Sequence, residues 1–183
     1  MFQTENRTRL IIFSAAFVLF MYVVVRAIVL SITYDEAYSY LEFARKDFWI
    51  VKEFNYMAAN NHLLNTWLIK ISVWLFGISE FSVRLPNVLF HLVYLFFSYK
   101  IVKGLKSPLI IVSAFLLLNI NPYLLDFFSA ARGYGISMAL LMASLYYLYL
   151  YCKKETGLRY AVVSLIAAEI SALANISLLN YVI

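Results

Sequence analysis

Apolar residues in this chain fall in runs far longer than a soluble helix requires, separated by short polar clusters. The first run, Leu10 to Ile32, is 23 residues long and holds one charge, Arg26. A membrane-spanning helix takes about 20 such residues. The run has no small-residue cleavage site, so it reads as a retained signal anchor rather than a removed signal peptide. Runs near 85–102, 133–151 and 158–180 each predict a further span. The run 108–120 is short alone but extends through Asn121-Pro122 to Phe128. Pro122 is expected to bend or end that helix, because it supplies no backbone N–H.

The segment His62–Phe76 differs. Its apolar positions Leu63, Leu64, Trp67, Leu68, Ile71, Trp74 and Leu75 make a one-sided helical stripe, interrupted by Asn65 and Lys70. As a helix it reaches about 22 Å, short of the ~30 Å hydrocarbon core. It is predicted to lie on the membrane surface and to stop at Gly77. An earlier surface helix is predicted from Thr33 to about Lys46, with Ala37, Leu41, Ala44 and Phe48 on one face.

Charge supports this division. With five spans, Arg7, Arg9, Lys100, Lys103, Lys106, Lys153, Lys154 and Arg159 fall on one side, eight against six (Arg45, Lys46, Lys52, Lys70, Arg84, Arg132) on the other. If 62–76 crossed as well, only Arg7, Arg9, Arg84 and Arg132 would share the N-terminal side. The positive-inside rule favours five spans with a cytoplasmic N-terminus. The expected fold is thus all-α: a polytopic transmembrane helical bundle of about five spans, read as one module over 1–183. Two juxtamembrane helices sit in a first external loop, 33–84. The apolar C-terminus suggests a module of a longer protein.

Composition agrees. Of 183 residues, 64% are hydrophobic, against roughly 45–50% in soluble domains, and the mean hydropathy is +0.80. Lipid has to cover part of this surface. The net charge of +5 is not a nucleic-acid signal, since the basic residues are scattered in clusters between apolar runs. Cys152 is the only cysteine, which excludes an intrachain disulfide.

Candidate chemistry gathers outside the spans. Asp35 and Glu36 are adjacent carboxylates that can hold a metal or accept a proton. Thr33-x-x-Glu36 is also a capping box, which gives Glu36 a purely structural alternative. Asp35 lies in the first helical turn, where the dipole favours its charged form. Arg132, beside Gly133 and Gly135, suits close approach to a phosphate; an interfacial anchor fits it equally. Asn61 and His62 can bind a sugar, or His62 can complete a divalent metal site with Asp35; helix caps and solvated loop are the alternative. Within spans, Arg26 reads as snorkelling and His91 as a packed neutral ring. Glu169, near mid-span, is either functional or packed against protein outside this chain.

The order of these segments resembles a known pattern. Thr33-Tyr34-Asp35-Glu36-Ala37-Tyr38 after a signal anchor is similar to the acidic motif of the GT-C superfamily of membrane glycosyltransferases. Asn61-His62-Leu63-Leu64-Asn65-Thr66, Trp74-Leu75-Phe76-Gly77 and Ser82-Val83-Arg84-Leu85-Pro86-Asn87 resemble its next region, and Ala131-Arg132-Gly133-Tyr134 an Arg-x-Tyr element. The likeness is to the protein O-mannosyltransferase and lipid A aminoarabinose transferase branch, as an N-terminal module. It departs at Asn61-His62-Leu63, where relatives often carry His-Pro-Pro, and at Ala130, where many carry an acidic residue.

The resemblance implies sugar transfer from a polyprenyl-phosphate donor to an acceptor hydroxyl on the outer face, within a bacterial inner membrane. It makes Asp35 catalytic, supported by Glu36. It puts Arg132, Tyr134 and Arg84 on the carrier phosphate, and Asn61 and His62 on substrate, with a divalent metal at Asp35 and His62 as a further expectation. The implied partners are donor, acceptor and membrane lipid, with no nucleic acid. The competing readings are a transporter-like or scaffolding membrane module and an inactive fragment of the enzyme. A transporter should gather polar residues at mid-membrane, whereas here they gather at one end.

Overall fold

A computed structural model describes residues 2–46, 62–154 and 157–178. The described residues are all-helical: α1 (Phe2–Val29), α2 (Tyr34–Tyr38) continuing as a π-helix (Ser39–Ala44), α3 (Leu63–Phe76), α4 (Glu80–Val102), α5 (Pro108–Asn119), α6 (Pro122–Ser129), α7 (Tyr134–Lys154), α8 (Leu158–Ala174) and a 3-10 turn (Ile176–Leu178). Three helices, α1, α4 and α7, are long and apolar enough to cross a membrane, and α5–α6 makes a fourth crossing if taken as one span with a 57° bend. The fifth expected span is helical only over the 17 residues of α8, the lower limit for spanning. The chain therefore forms the expected all-helical bundle, with three or four helices of membrane length and with α8 shorter than the apolar run that predicts it.

Two prolines shape the bundle, and hydroxyls repair what each removes. Pro122 has no N–H for the Leu118 carbonyl, and the Tyr94 hydroxyl donates to that carbonyl instead, at 3.0 Å. Asn121 caps the new helix by accepting from the Tyr123 and Leu124 N–H groups. Pro86, inside α4, likewise frees the Ser82 carbonyl, and Ser72 Oγ of α3 donates to it at 2.6 Å. A backbone carbonyl shut away from water needs such a partner, because leaving it unpaired is costly.

The α7–α8 pair is antiparallel and meets through small polar residues. Ser144 and Ser164 Oγ are 3.0 Å apart, and Ser171 donates to the Ser137 carbonyl at 2.8 Å. Ser137/Ser144 and Ser164/Ser171 are each one heptad apart, so the seam stays in register. Small residues permit this close approach, with Ala168 buried beside it. Val23, Ala27, Val88, Phe128 and Ala139 form a core between α1, α4, α6 and α7. His91 is fully buried in it, 4.7 Å from the Phe128 ring and 6.2 Å from Phe20, as expected of a packed ring. Glu169 instead lies exposed on α8, along a face shared with exposed Leu165, Ile166 and Leu173.

Both juxtamembrane helices form, with changes. The first is not one α-helix: the π-helix widens the turn, with the Arg45 N–H bonded to the Tyr40 carbonyl five residues back. That extra residue per turn rotates the expected face. Phe43 and Ala44 are buried and Leu41 is exposed; Phe48 lies outside the described residues. The second helix begins one residue late, with His62 as N-cap, and ends at Gly77, whose φ of 76° suits glycine. It turns Asn65, Ile69 and Ser72 inward and leaves Ile71, Trp74 and Leu75 exposed, an arrangement suited to lipid outside and protein inside.

Candidate active site

The site is built at the end of the bundle where α1 finishes and α4 begins. Thr33 and Glu36 make the capping box that their spacing predicts: the Thr33 side chain accepts from the Glu36 N–H, and Glu36 accepts from the Thr33 N–H at 2.9 Å. Glu36 does much more. It is fully buried and ion-paired to Arg84, itself 2% exposed, with Nε–Oε1 at 2.7 Å and Nη2–Oε2 at 2.9 Å. Arg84 also donates to the carbonyls of Ala27, Leu30 and Ser31. It thereby caps the end of α1, where carbonyls lack helical partners. Burial pushes the Glu36 carboxyl up. The Arg84 hydrogen bond and the Thr33 and Ala131 N–H groups together outweigh it and hold the group below the usual carboxylate range.

Arg84, grouped by resemblance with the phosphate-binding residues, therefore has all three guanidinium nitrogens engaged by protein. It lies buried between Glu36 and the end of α1.

The Glu36 carboxylate then reaches across the bundle. Its Oε1 accepts from the Ala131 N–H at 2.7 Å, while the Ala131 carbonyl accepts from Asn65 Nδ2 at 3.1 Å. Asn65 is held in turn by Asn87 at 2.9 Å. The backbone immediately before Arg132 is thus gripped at its donor by Glu36 of α2 and at its acceptor by Asn65 of α3, which Asn87 of α4 holds in turn. This grip aims Arg132. Its Nη2 lies 3.1 Å from Asp35 Oδ2, with both side chains about one third exposed (31% and 38%). Its Cζ lies 5.0 Å above the Tyr134 ring. The adjacent carboxylates differ in setting: Glu36 is fully buried, while the Asp35 side chain is 38% exposed.

Tyr134 is packed by Phe127 and, edge-on, by His62, each with ring centroids 5.0 Å away. His62 is buried, its ring hydrogen-bonded to the Ala174 carbonyl and its Nε2 without a partner among the described residues. Burial and then the Arg132 charge lower its pKa, against the pull of that carbonyl, so the ring is neutral at pH 7. The structure thus brings Asp35, Arg132, Tyr134 and His62 into one cluster. Asn61 lies outside the described residues.

The two glycines serve packing. A Cβ on Gly133 would sit 2.0 Å from the Ala174 carbonyl and 2.6 Å from His62 Cβ; one on Gly135 would sit 2.7 Å from the Phe127 carbonyl. Their open sides are filled by protein and not by space for a phosphate. Among the described residues no three His, Cys, Asp or Glu groups gather to hold a metal ion. The Asp35 carboxylate is also turned to a guanidinium whose charge opposes a cation, so the described residues do not fit a metal centre.

A neighbouring pair escaped the sequence reading. Arg26, expected to snorkel, pairs with Asp126 of α6 at 2.6 Å. The 100-residue separation hid it, although both residues close the same end of the bundle.

Compared with protein-family models, residues 61–177 match dolichyl-phosphate-mannose-protein mannosyltransferase. That stretch is well over half the chain. The chain belongs to this family. The mannosyltransferase match includes His62, Arg84, Arg132 and Tyr134, and starts after Asp35 and Glu36. As a mannosyltransferase-family protein with membrane-length apolar helices, it is an integral membrane member of the GT-C glycosyltransferases. No curated protein and no solved structure matches it.

Proposed function

We propose that this protein transfers a sugar from a polyprenyl-phosphate donor to an acceptor hydroxyl, at the end of the bundle bearing Asp35 and Arg132. The observation that carries the reading is their ion pair, which joins residues 97 positions apart beside the buried hydrogen bonds that link Glu36, Ala131 and Asn65. The basic-residue distribution supports a reading with that end on the outer face and the N-terminus in the cytoplasm. A polyprenyl tail stays in the bilayer, so the donor phosphate meets the protein at this interfacial depth.

The pair suggests an exchange. Without donor, Arg132 holds Asp35. An arriving phosphate competes for the guanidinium, which can grip it in bidentate fashion. The Asp35 carboxylate, released from its partner, then accepts the acceptor hydroxyl's proton as oxygen attacks the sugar carbon. The bond from that carbon to the phosphate oxygen breaks, and the charge left on the phosphate stays on Arg132. Tyr134 and the neutral His62 ring support the guanidinium from behind without adding a competing charge.

The test is transfer of radiolabelled sugar from polyprenyl phosphate by membranes carrying the whole protein. Asp35→Asn should lower turnover by about 10²–10⁴-fold at unchanged membrane abundance. Arg132→Lys keeps the charge but not the fork, and should mainly raise KM for the donor. Near-normal turnover of Asp35→Asn would return Asp35 to a structural role.

A further inference from the structure

The opposite end of the bundle carries a second site that sugar transfer does not use. A cavity of about 360 Å3 opens between the start of α1, the end of α4 and the start of α5. Arg9, Lys103 and Lys106 line it. Glu5 also lines it and pairs with Arg9 at 2.6 Å, offsetting one of the three cations. Lys103 and Lys106 have no ion-pair partner among the described residues.

This basic pocket does not stand alone. It shares its Tyr99 wall with an apolar groove of about 330 Å3. On α1 the pocket is lined by Glu5, Thr8 and Arg9, and the groove by Ile12, Ala16 and Phe20. Glu5, the Thr8-Arg9 pair, Ile12, Ala16 and Phe20 follow one another at about one helical turn, so they form one face of one helix. On α5, Ile111 of the pocket is followed one turn later by Phe115 of the groove. The crevice therefore runs about 22 Å along α1, longer than the acyl layer of one leaflet, which is about half of the ~30 Å core.

We propose that this crevice binds one anionic phospholipid, its headgroup phosphate on Lys103 and Lys106 and an acyl chain in the groove below Tyr99. Net positive charge at the head and a channel apolar but for the Tyr99 wall at the tail match the two ends of that molecule. A free phosphate would use the first and leave the second empty. Basic pockets between transmembrane helices are a recurrent way of holding anionic headgroups. The inference is independent of the sugar-transfer reading, since its residues lie at the other end of the bundle.

Native mass spectrometry of the delipidated protein can count retained lipid with phosphatidylglycerol or phosphatidylcholine of identical chains added. One phosphatidylglycerol should be retained in preference to phosphatidylcholine. K103Q/K106Q should weaken that binding by about fivefold for each lysine removed. Lys103→Arg and Lys106→Arg should preserve it. So should Lys153→Gln, which removes a charge outside the crevice. Ala16→Phe, which fills the groove and leaves the cations, should weaken retention of phosphatidylglycerol, and inorganic phosphate should fail to displace the lipid. Equal retention of the two lipids, an unchanged K103Q/K106Q, or equal competition by inorganic phosphate would each overturn the proposal.

Discussion

Replacing Glu36 by Gln separates two roles that its sequence position allows. If Glu36 only closed the capping box, Gln would serve nearly as well. The structure places five hydrogen bonds on its two oxygens: Arg84 Nε and Ala131 N on Oε1, and Thr33 N, Thr33 Oγ1 and Arg84 Nη2 on Oε2. A Gln amide has one oxygen. Whichever way it sits, its NH2 faces at least two donors, and the Arg84 charge loses its counterion. Breaking a buried pair from one side costs about 3–5 kcal/mol. The carbonyls of Ala27, Leu30 and Ser31 still hold Arg84, which puts the cost near about 3. For a chain of this size that is a Tm loss of roughly 6–12 °C. Thermal unfolding of purified protein in detergent measures it, with Thr33→Ala as reference, since loss of a cap alone costs about 1 kcal/mol.

The pH dependence has a definite sign. The folded Glu36 carboxyl titrates below its ordinary value of 4.5. Its stabilisation is then complete above that value and is lost as pH falls through the lower folded one. The Tm gap between wild type and Glu36→Gln should be flat near neutrality and shrink in acid below 4.5. A Glu36→Gln loss no larger than that of Thr33→Ala would refute the clamp.

Two further outcomes follow from particular contacts. Gly133→Ala places a Cβ against the Ala174 backbone and His62, so it should lower Tm and sugar transfer together, whereas a glycine spared for phosphate access would lose only donor affinity. In a Cys152→Ser background, cysteines at Lys103 and Lys153 should label from one side of the membrane and a cysteine at Asp126 from the other; labelling of all three from one side would break the five-crossing arrangement.

Much of the frame was legible because it depends on local rules. Run length marks α1, α4 and α7, Pro122 marks the α5–α6 bend, and Thr33-x-x-Glu36 and Gly77 mark helix ends within a few residues of the signal itself. What escaped depends on partners far along the chain. Glu36 reaches Arg84 and Ala131, 48 and 95 residues away, and nothing in the spacing distinguishes a cap from a clamp. Asp126 gave no sign that it would meet Arg26. The π-helix was invisible too, since the added residue per turn has no compositional mark. The glycines around Arg132 had two physical uses, close approach of a ligand or of protein, and only the packing of Ala174, His62 and Phe127 shows which applies.

The central claim is that Asp35 and Arg132 exchange partners when donor binds. Binding and turnover of Asp35→Asn, measured on the same preparation with a short-chain polyprenyl phosphate as the binding probe, test it most directly. Asn weakens the hold on Arg132, so the variant should bind the carrier phosphate at least as tightly as wild type while its sugar transfer falls by about 10²-fold or more. Loss of carrier binding in step with turnover, at normal membrane abundance, would contradict the exchange.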